Sequence, residues 1–116
     1  MNKYHASSDR AIVGAQAEKF ALSYLQEYVD PEAKLINQNC KGPDKGDILC
    51  KGKIVDVKTQ LNPAYTNFCI KLRKDFTPDV FMCVDNHGNN QFSFTRFATP
   101  EQVRQRGRNM GAYYLI

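Results

Sequence analysis

Two aspartates and a lysine stand in the stretch GDILCKGKIVDVKT, residues 46–59, at a spacing at which their side chains could act together. A two-residue turn at Lys51-Gly52 would fold this stretch into a β-hairpin. The pairs expected across the hairpin are Cys50 with Lys53, Leu49 with Ile54, Ile48 with Val55, and Asp47 with Asp56. Directly opposed side chains lie about 5 Å apart, where like charges repel, so the two carboxylates need a partner.

A divalent cation between Asp47 and Asp56 would remove this repulsion. Mg²⁺ favours oxygen ligands, commonly one or two carboxylates together with water and substrate phosphate oxygens. The backbone carbonyl of Val57 could be a further ligand. A bound ion would acidify a ligated water and neutralise charge on a phosphoryl group under attack. Lys58 shares a strand face with Asp56 and would orient that water or stabilise the transition state. The pattern predicts phosphodiester hydrolysis.

A long helix is predicted over residues 11–29, capped by Ser8 or Asp9 and ended by Asp30-Pro31. Apolar side chains recur along it at helical spacing. They are Val13, Ala17, Phe20, Ala21, Tyr24 and Tyr28. Glu18 is an anomaly, because the neighbours on its own ridge are small or apolar. These neighbours are Gly14, Leu22 and Leu25. An acid on a core-facing ridge needs a partner, and Glu18 could bind the same ion directly or through water.

The rest of the chain is predicted to form several strands and one short helix. The expected strands are residues 34–40, 47–50, 53–59, 79–85 and 91–97, with an edge strand in the tail AYYLI. Residues 62–76 are compatible with a helix or a strand, and β-branched Ile70 favours the strand. Pro100, with Thr99 as the cap, predicts a short helix. This order of elements predicts an α/β fold with a mixed sheet, in one domain covering residues 1–116.

The composition of the chain bears on its expected location and on the state of its cysteines. The first ten residues contain no apolar signal region, and no apolar run approaches the length of a membrane span. We therefore expect a cytoplasmic protein, in a cell or encoded by a phage or mobile element, with no membrane partner. The four cysteines are Cys40, Cys50, Cys69 and Cys83. Their spacing is not that of a zinc or iron–sulfur site, so buried reduced thiols are expected.

The chain carries a formal net charge of +4, which mildly favours a polyanionic partner. If that partner is a nucleic acid, basic side chains would contact its phosphates. The residues predicted to do so are Lys41, Lys45, Lys71, Arg73, Lys74 and Arg96, with the Arg104–Arg108 group as a weaker candidate.

Taken together, these features resemble the PD-(D/E)xK nuclease superfamily, whose sheet presents an acid and then an acid-x-lysine motif on neighbouring strands. The residues that carry the resemblance are Gly14, Glu18, Ala21, Tyr24 and Leu25 on the helix, then Asn39, Asp47-Ile48 and VDVKT. The pattern is similar to archaeal-type Holliday junction resolvases and to a family of uncharacterised resolvase-like proteins. The resemblance implies a restriction-endonuclease-like αβββαβ core with a central mixed sheet flanked by helices. It also implies Mg²⁺ or Mn²⁺ as the cofactor, DNA cleavage, and a homodimer or higher homo-oligomer.

Site residues follow from the resemblance position by position. Glu18 matches the helix acid, Asp47 and Asp56 the strand acids, Lys58 the lysine, and Gln60 a further polar active-site position. The second acid is Asp where these branches usually carry Glu, and the spacing between the two strand acids is tighter than usual. Pro43-Asp44 matches the literal "PD", so Asp44 competes with Asp47 as the first acid.

The sequence thus predicts a metal-dependent DNA endonuclease, either junction-resolvase-like or similar to a small homing or restriction enzyme. No small-molecule cofactor is expected. Two alternatives remain. One is a catalytically inactive nucleic-acid-binding subunit of the same fold, and the other is an enzyme that uses the same site on RNA or on strand ends.

Overall fold

The computed structural model describes residues 6–36 and 47–116. Its helices and strands are α1 (Ala6–Tyr28), β1 (Lys34–Leu35), β2 (Ile48–Cys50), β3 (Lys53–Lys58), β4 (Cys69–Ile70), β5 (Val80–Gly88), β6 (Gln91–Ala98), α2 (Pro100–Arg106), β7 (Arg108–Asn109) and β8 (Tyr114–Leu115). They form an α/β structure with a mixed sheet, as the sequence predicts. Neither helix in the described part of the chain is long and apolar enough to cross a membrane.

Five strands form the main sheet in the order β1-β2-β3-β5-β6, and a smaller sheet has the order β4-β8-β7. Neighbours in the main sheet are antiparallel except for β3 and β5, which are parallel. A parallel pair needs a crossover connection, which residues 59–79 provide. In that range, all of which the structure describes, the chain contains the short strand β4 and no helix.

The β2–β3 hairpin has the predicted turn and register. Lys51 and Gly52 both have positive φ, 51° and 74°, which suits a two-residue hairpin turn. The paired residues are Ile48 with Val55, Leu49 with Ile54, and Cys50 with Lys53. The Asp30 carboxylate, just after α1, accepts a hydrogen bond of 2.8 Å from the Lys51 N–H. The hairpin turn is therefore tied to the end of the helix.

The described residues form two apolar clusters, because successive residues of β5 point to opposite faces of the sheet. The cluster beneath α1 contains Ala17, Ala21, Leu25, Ala33, Ile48, Cys50, Val55, Met82 and Val84. The cluster on the other face contains Phe68, Ile70, Phe81, Cys83, Ala98 and Val103. Asp56 and Lys58 pair in register with Phe81 and Cys83, so they share the second face.

Helix α1 differs from its prediction at the start and along its buried face. It begins at Ala6, so Ser8 and Asp9 lie within it and do not cap it. It ends at Tyr28, as the following Asp30-Pro31 predicts. Tyr28, which was predicted to lie on the buried face, is 66% exposed. The ridge that packs on the sheet is formed by Ala17, Ala21 and Leu25. Small side chains allow the helix to lie close to the sheet.

Three further predictions were wrong in detail. Strand β5 extends to Gly88, and the turn falls on Asn89-Asn90 with φ of 53° and 59°, since asparagine tolerates this left-handed conformation. The tail strand β8 is the central strand of the small sheet and not an edge. Cys69 is exposed, because it alternates with buried Ile70 along β4.

Some predictions agree with the structure or lie outside the described residues. Helix α2 starts at Pro100, and Thr99 and Gln102 form a reciprocal capping box. The ambiguous range 62–76 is a strand only at β4. Cys50 and Cys83 are buried, as expected, and burial raises the pKa of the Cys83 thiol to about 12. Cys40 and the end of the predicted first strand are not among the described residues.

Candidate metal and nucleic-acid site

The carboxyl groups of Asp47 and Asp56 meet at the open end of the β2–β3 hairpin, where they are hydrogen-bonded to each other. The regular pairing ends at Ile48 with Val55, and the Asp47 N–H donates to the Val55 carbonyl at 3.0 Å. The direct Asp47–Asp56 cross-strand pair predicted from the sequence is therefore not part of the ladder. Asp47 instead reaches Asp56 through its side chain, and its Oδ2 accepts a hydrogen bond of 2.6 Å from the Val57 N–H.

This contact changes the protonation of Asp47. Burial is the largest cause that raises the pKa of the Asp47 carboxyl, followed by the hydrogen bond and negative charge of Asp56, and the pKa reaches about 9. The negative charge of Glu18 raises it further, whereas the Val57 N–H lowers it. Without a cation, the Asp47 carboxyl therefore favours its protonated form. A divalent cation could take the place of this proton.

Lys58 lies beside the two acids. Its Nζ is 3.5 Å from Asp56 Oδ2, and the Lys58 and Asp56 side chains are 30% and 15% exposed. The same Nζ lies 6.0 Å from the centroid of the Phe81 ring. The ammonium group is thus held near the acids while part of the side chain stays accessible to a ligand.

Glu18 is the helix acid predicted to join the site. It is half-buried on α1, between neighbours that pack on the sheet, and its charge acts directly on the Asp47 carboxyl. Glu18 is therefore within electrostatic reach of the acid pair.

The donor set fits Mg²⁺ better than a softer metal. Asp47 and Asp56 supply carboxylate oxygens, and the Val57 C=O points to the same edge of β3 as its N–H, towards Asp47. Among residues 6–36 and 47–116, no group of three or more His, Cys, Asp or Glu side chains is placed to hold a metal ion. Mg²⁺ does not need such a cage, because it commonly uses one or two carboxylates and keeps several waters.

Gln60 does not join the acids. Its Nε2 donates to Asp85 Oδ1 at 2.7 Å, and its Oε1 accepts from the Asn86 N–H at 2.9 Å. Thr95 donates to the other Asp85 oxygen at 2.7 Å, and together with Gln60 it lowers the pKa of Asp85. Both ends of the Gln60 amide thus hold the start of the crossover against β5. Gln60 therefore stabilises the fold at this point, a role that the family resemblance alone did not indicate.

Basic side chains lie on both sides of the acid pair. Lys71 and Arg73 line a cleft that also contains Asp56, which we call the Asp56 cleft. Arg10 lines a second cleft, of about 390 Å³, around Lys58. The hydroxyl of Thr59 in this second cleft is buried and has no hydrogen-bond partner in the described part of the chain.

The other predicted phosphate-contacting residues are more scattered. Arg96 on β6 pairs with Cys83, which pairs with Lys58 on its other side, so the two basic residues lie two strand spacings, about 9–10 Å, apart. Lys74 and Arg104 line a separate groove with Arg73. Lys41, Lys45 and Asp44 are not among the described residues, so the competition between Asp44 and Asp47 is not decided by the structure.

Ser93 and His87 form a contact that sequence spacing did not indicate. The His87 Nε2 lies 2.7 Å from Ser93 Oγ across the β5–β6 hairpin. A hydroxyl activated in this way needs an acid that orients the histidine. The nearby Asp85 carboxylate is instead hydrogen-bonded to Gln60 and Thr95. The signal available from sequence was the short Asn89-Asn90 turn, which brings the ends of the two strands together.

Comparison with known proteins gives no assignment. No family model matches the chain, and neither a curated protein nor a solved structure is significantly similar to it.

Proposed function

We propose that this protein is a Mg²⁺-dependent endonuclease that hydrolyses phosphodiester bonds in DNA. The observation that carries the proposal is the contact between Asp47, just before β2, and Asp56 on β3, with the Lys58 amine beside them. A buried pair of carboxyl groups that holds a proton is costly to ionise without a cation. An ion bound there would turn this unfavourable arrangement into a phosphate-binding centre.

Each residue would have a distinct role in the reaction. Mg²⁺, when bound, would polarise the scissile phosphate and lower the pKa of the attacking water. Asp47 and Asp56 would hold it, with the Val57 carbonyl and Glu18 as further oxygen donors, Glu18 directly or through water. Lys58 would orient the attacking water or donate a hydrogen bond to a non-bridging phosphate oxygen, where negative charge develops in the transition state.

The order of elements supports a restriction-endonuclease-like core. Helix α1 precedes β1, β2 and β3, and the next strand of the main sheet, β5, lies parallel to β3. The crossover over residues 59–79 departs from an αβββαβ core, because it contains strand β4 in place of a helix. The acid-bearing half of the chain therefore carries the proposed likeness, and the crossover does not.

The rival functions predict different results in one assay. The protein would be incubated with Mg²⁺ or Mn²⁺ and with supercoiled plasmid, linear duplex, a four-way junction and single-stranded RNA. An endonuclease converts plasmid to open-circular and linear forms. An end-dependent enzyme digests only linear DNA, an RNA enzyme cuts only RNA, and an inactive binding subunit shifts the mobility of nucleic acid without cutting it.

Site variants make the assay specific to the proposed centre. Asp56→Asn and Lys58→Ala should each lower the cleavage rate by about 10²–10³, the effect of removing one group that stabilises developing charge. Lys53→Ala is the matched control, since Lys53 is an exposed lysine on the same strand. Cleavage that survives EDTA, or that Asp56→Asn leaves intact, would exclude the proposed mechanism.

A further inference from the structure

A groove next to the acid pair has the features of a site for a single nucleic-acid strand. It has a volume of about 530 Å³ and is bordered by the crossover, by α2 and by the β7–β8 turn. The groove walls are formed by Lys74, Arg104, Gly111, Ala112 and Tyr113, and we call this surface the basic groove. A volume of this size suits a drug-sized ligand or a nucleotide or two, and not the face of a duplex.

The basic groove adjoins the Asp56 cleft. Leu72, Arg73 and Thr77 line both, so a chain bound in the groove could lead directly to the acids. The Asp75 carboxylate holds the Arg73 guanidinium through two hydrogen bonds of 3.0 and 2.6 Å. The Arg73 charge is therefore fixed in position at the junction between cleft and groove.

Tyr113 gives the groove an aromatic surface. The neighbouring Tyr114 packs against the second apolar cluster, whereas Tyr113 remains 36% exposed. The turn before it is fixed by a hydrogen bond of 2.8 Å from the Met110 N–H to the Tyr113 carbonyl. Gly111 and Ala112 carry little or no side chain, which leaves room for a planar group against the Tyr113 ring.

The basic groove is also lined by positively charged side chains. Lys74 in the crossover and Arg104 in the last turn of α2 are both exposed and both line the groove. Proteins that bind single strands combine such charges, which follow the backbone, with aromatic side chains on which bases stack. A duplex hides the base faces that Tyr113 could contact.

We infer that the basic groove binds a single-stranded DNA segment that flanks the scissile phosphate. Tyr113 stacks on a base, Lys74 and Arg104 contact phosphates, and Arg73 directs the strand towards Asp56. Insofar as it concerns cleavage, this inference rests on the proposed function, and it makes a duplex with a single-stranded branch or end the preferred substrate. Binding by the groove itself does not depend on catalysis.

Binding is measured first, in EDTA so that nothing is cut, by fluorescence anisotropy of a labelled twelve-nucleotide oligo-dT and of a labelled duplex of the same length. Tyr113→Ala should weaken oligo-dT binding about 5- to 150-fold, the effect of losing one stacked base, and should change duplex binding much less. Tyr113→Phe should restore binding because it keeps the ring. Tyr65→Ala is the matched control, since Tyr65 is a 65% exposed tyrosine outside the groove. Circular dichroism would confirm that each variant is folded.

Salt dependence tests the charged walls. Lys74→Ala and Arg104→Ala should each reduce the slope of log affinity against log salt for oligo-dT by about 0.7, the value for one phosphate contact on a single strand. Equal binding of oligo-dT by wild type and by folded Tyr113→Ala would overturn the inference, and so would unchanged slopes in both basic variants.

Cleavage assays separate this inference from the proposed function. In Mg²⁺, wild-type protein should cut a duplex with a single-stranded branch faster than a blunt duplex, and in Tyr113→Ala the ratio of these two rates should fall towards one. Tyr113-dependent binding of oligo-dT without any cleavage would support the groove and reject the nuclease. Metal-dependent cleavage with no effect of Tyr113 on strand binding or preference would support the nuclease and reject the groove.

Discussion

At the scale of residues, the contact between Asp47 and Asp56 is unfavourable for the stability of the fold. Asp47 is largely buried, its Oδ2 is bound by the Val57 N–H, and Asp56 lies against it. A proton on the Asp47 carboxyl reduces this cost in the metal-free protein. The free energy of unfolding of the metal-free protein should therefore fall as pH rises, and a bound cation should increase it.

The stability of the metal-free protein should fall as pH rises. The pKa of Asp47 is about 9 in the folded protein against an ordinary value of 3.8, so the folded state binds more protons between these values. The free energy of unfolding contributed by this group is therefore largest below pH 4 and declines up to pH 9. Urea unfolding in EDTA at pH 5 and pH 8 measures it.

Asp47→Asn isolates this contribution. The amide keeps an oxygen for the Val57 N–H and cannot ionise, so the variant should be more stable than wild type at pH 8. The difference between the two proteins should shrink towards pH 5, because protonating the Asp47 carboxyl on folding costs less free energy as the pH approaches its ordinary value of 3.8. A difference that is constant with pH would contradict the assignment.

Mg²⁺ should stabilise the protein against unfolding. A ligand that binds only the folded state adds about 2.7 kcal/mol at a hundred times its dissociation constant. Thermal unfolding at pH 8 with and without MgCl₂, compared with NaCl of equal ionic strength, measures this effect independently of cleavage. Asp56→Asn should abolish the gain and Lys53→Ala should keep it. Equal gains in both variants would place the ion elsewhere.

Sequence reasoning found the acids because their meeting depends on local rules. The Lys51-Gly52 turn and the two-residue period of strands place Asp47 and Asp56 near each other. Asp47 is not paired with Asp56 in the ladder, because its N–H donates to the Val55 carbonyl and its carboxylate accepts from the Val57 N–H. Periodicity does not specify these hydrogen bonds. Gln60 was misjudged because its partners are twenty-five and twenty-six residues away, on β5.

At the scale of elements, α2 and the end of the chain at β8 pack closely around Gly107. A Cβ on this residue would lie 2.5 Å from the Val103 carbonyl oxygen and 2.8 Å from Ile116 Cγ2. Its φ of −77° is ordinary, so the restriction is one of space and not of backbone conformation. The end of α2 can therefore approach the small sheet only because no side chain stands between them.

Gly107→Ala should destabilise the protein by about 1–3 kcal/mol, the usual cost of forcing an extra group into a packed region. Gly14→Ala is the contrasting variant, because a Cβ there meets nothing within 4 Å and lies in a helix. It should stabilise the protein by about 0.5–1 kcal/mol. Denaturant unfolding of both variants measures the two effects, and equal effects of the same sign would contradict this packing.

Elements with local signals were predicted well, and the others were not. Pro100 and its cap Thr99 predict α2 from the sequence. In the structure, Thr99 forms a capping box with Gln102. The crossover carries weak signals, and its strand β4 exists because it pairs with β8, more than forty residues later. Such a pairing depends on the whole fold and not on the residues of the segment.

At the scale of the whole molecule, an aromatic ribbon lies beside the last strand of the main sheet. Tyr24 contacts the tilted ring of Tyr28 at a centroid distance of 4.7 Å and stacks with Phe94 at 4.9 Å, and Phe94 contacts Phe97 at 4.8 Å. Phe97 is 42% exposed. In the described part of the chain, no strand pairs with the outer edge of β6. An open edge with aromatic side chains beside it favours association with a second copy.

The homodimer remains a prediction, and we place its interface on this ribbon. Phe97→Lys should convert a dimer to a monomer, because it puts a charge in an apolar contact. Light scattering after size-exclusion chromatography measures the change, with Tyr65→Lys as the control for an exposed aromatic residue elsewhere. A wild-type protein that is monomeric at high concentration, or a Phe97→Lys variant that stays dimeric, would exclude this interface.

The crossover is secured at both of its ends. Gln60 bonds to Asp85 and Asn86 at its beginning. At its end, Asp79 and Ile54 exchange hydrogen bonds of 2.9 and 2.7 Å. Lengthening a loop between fixed ends costs little, about 0.6 kcal/mol for each doubling. Residues 62–67 of this segment are all exposed and precede β4, so this stretch could be lengthened or exchanged to graft new substrate preferences without disturbing the strands that carry the acids.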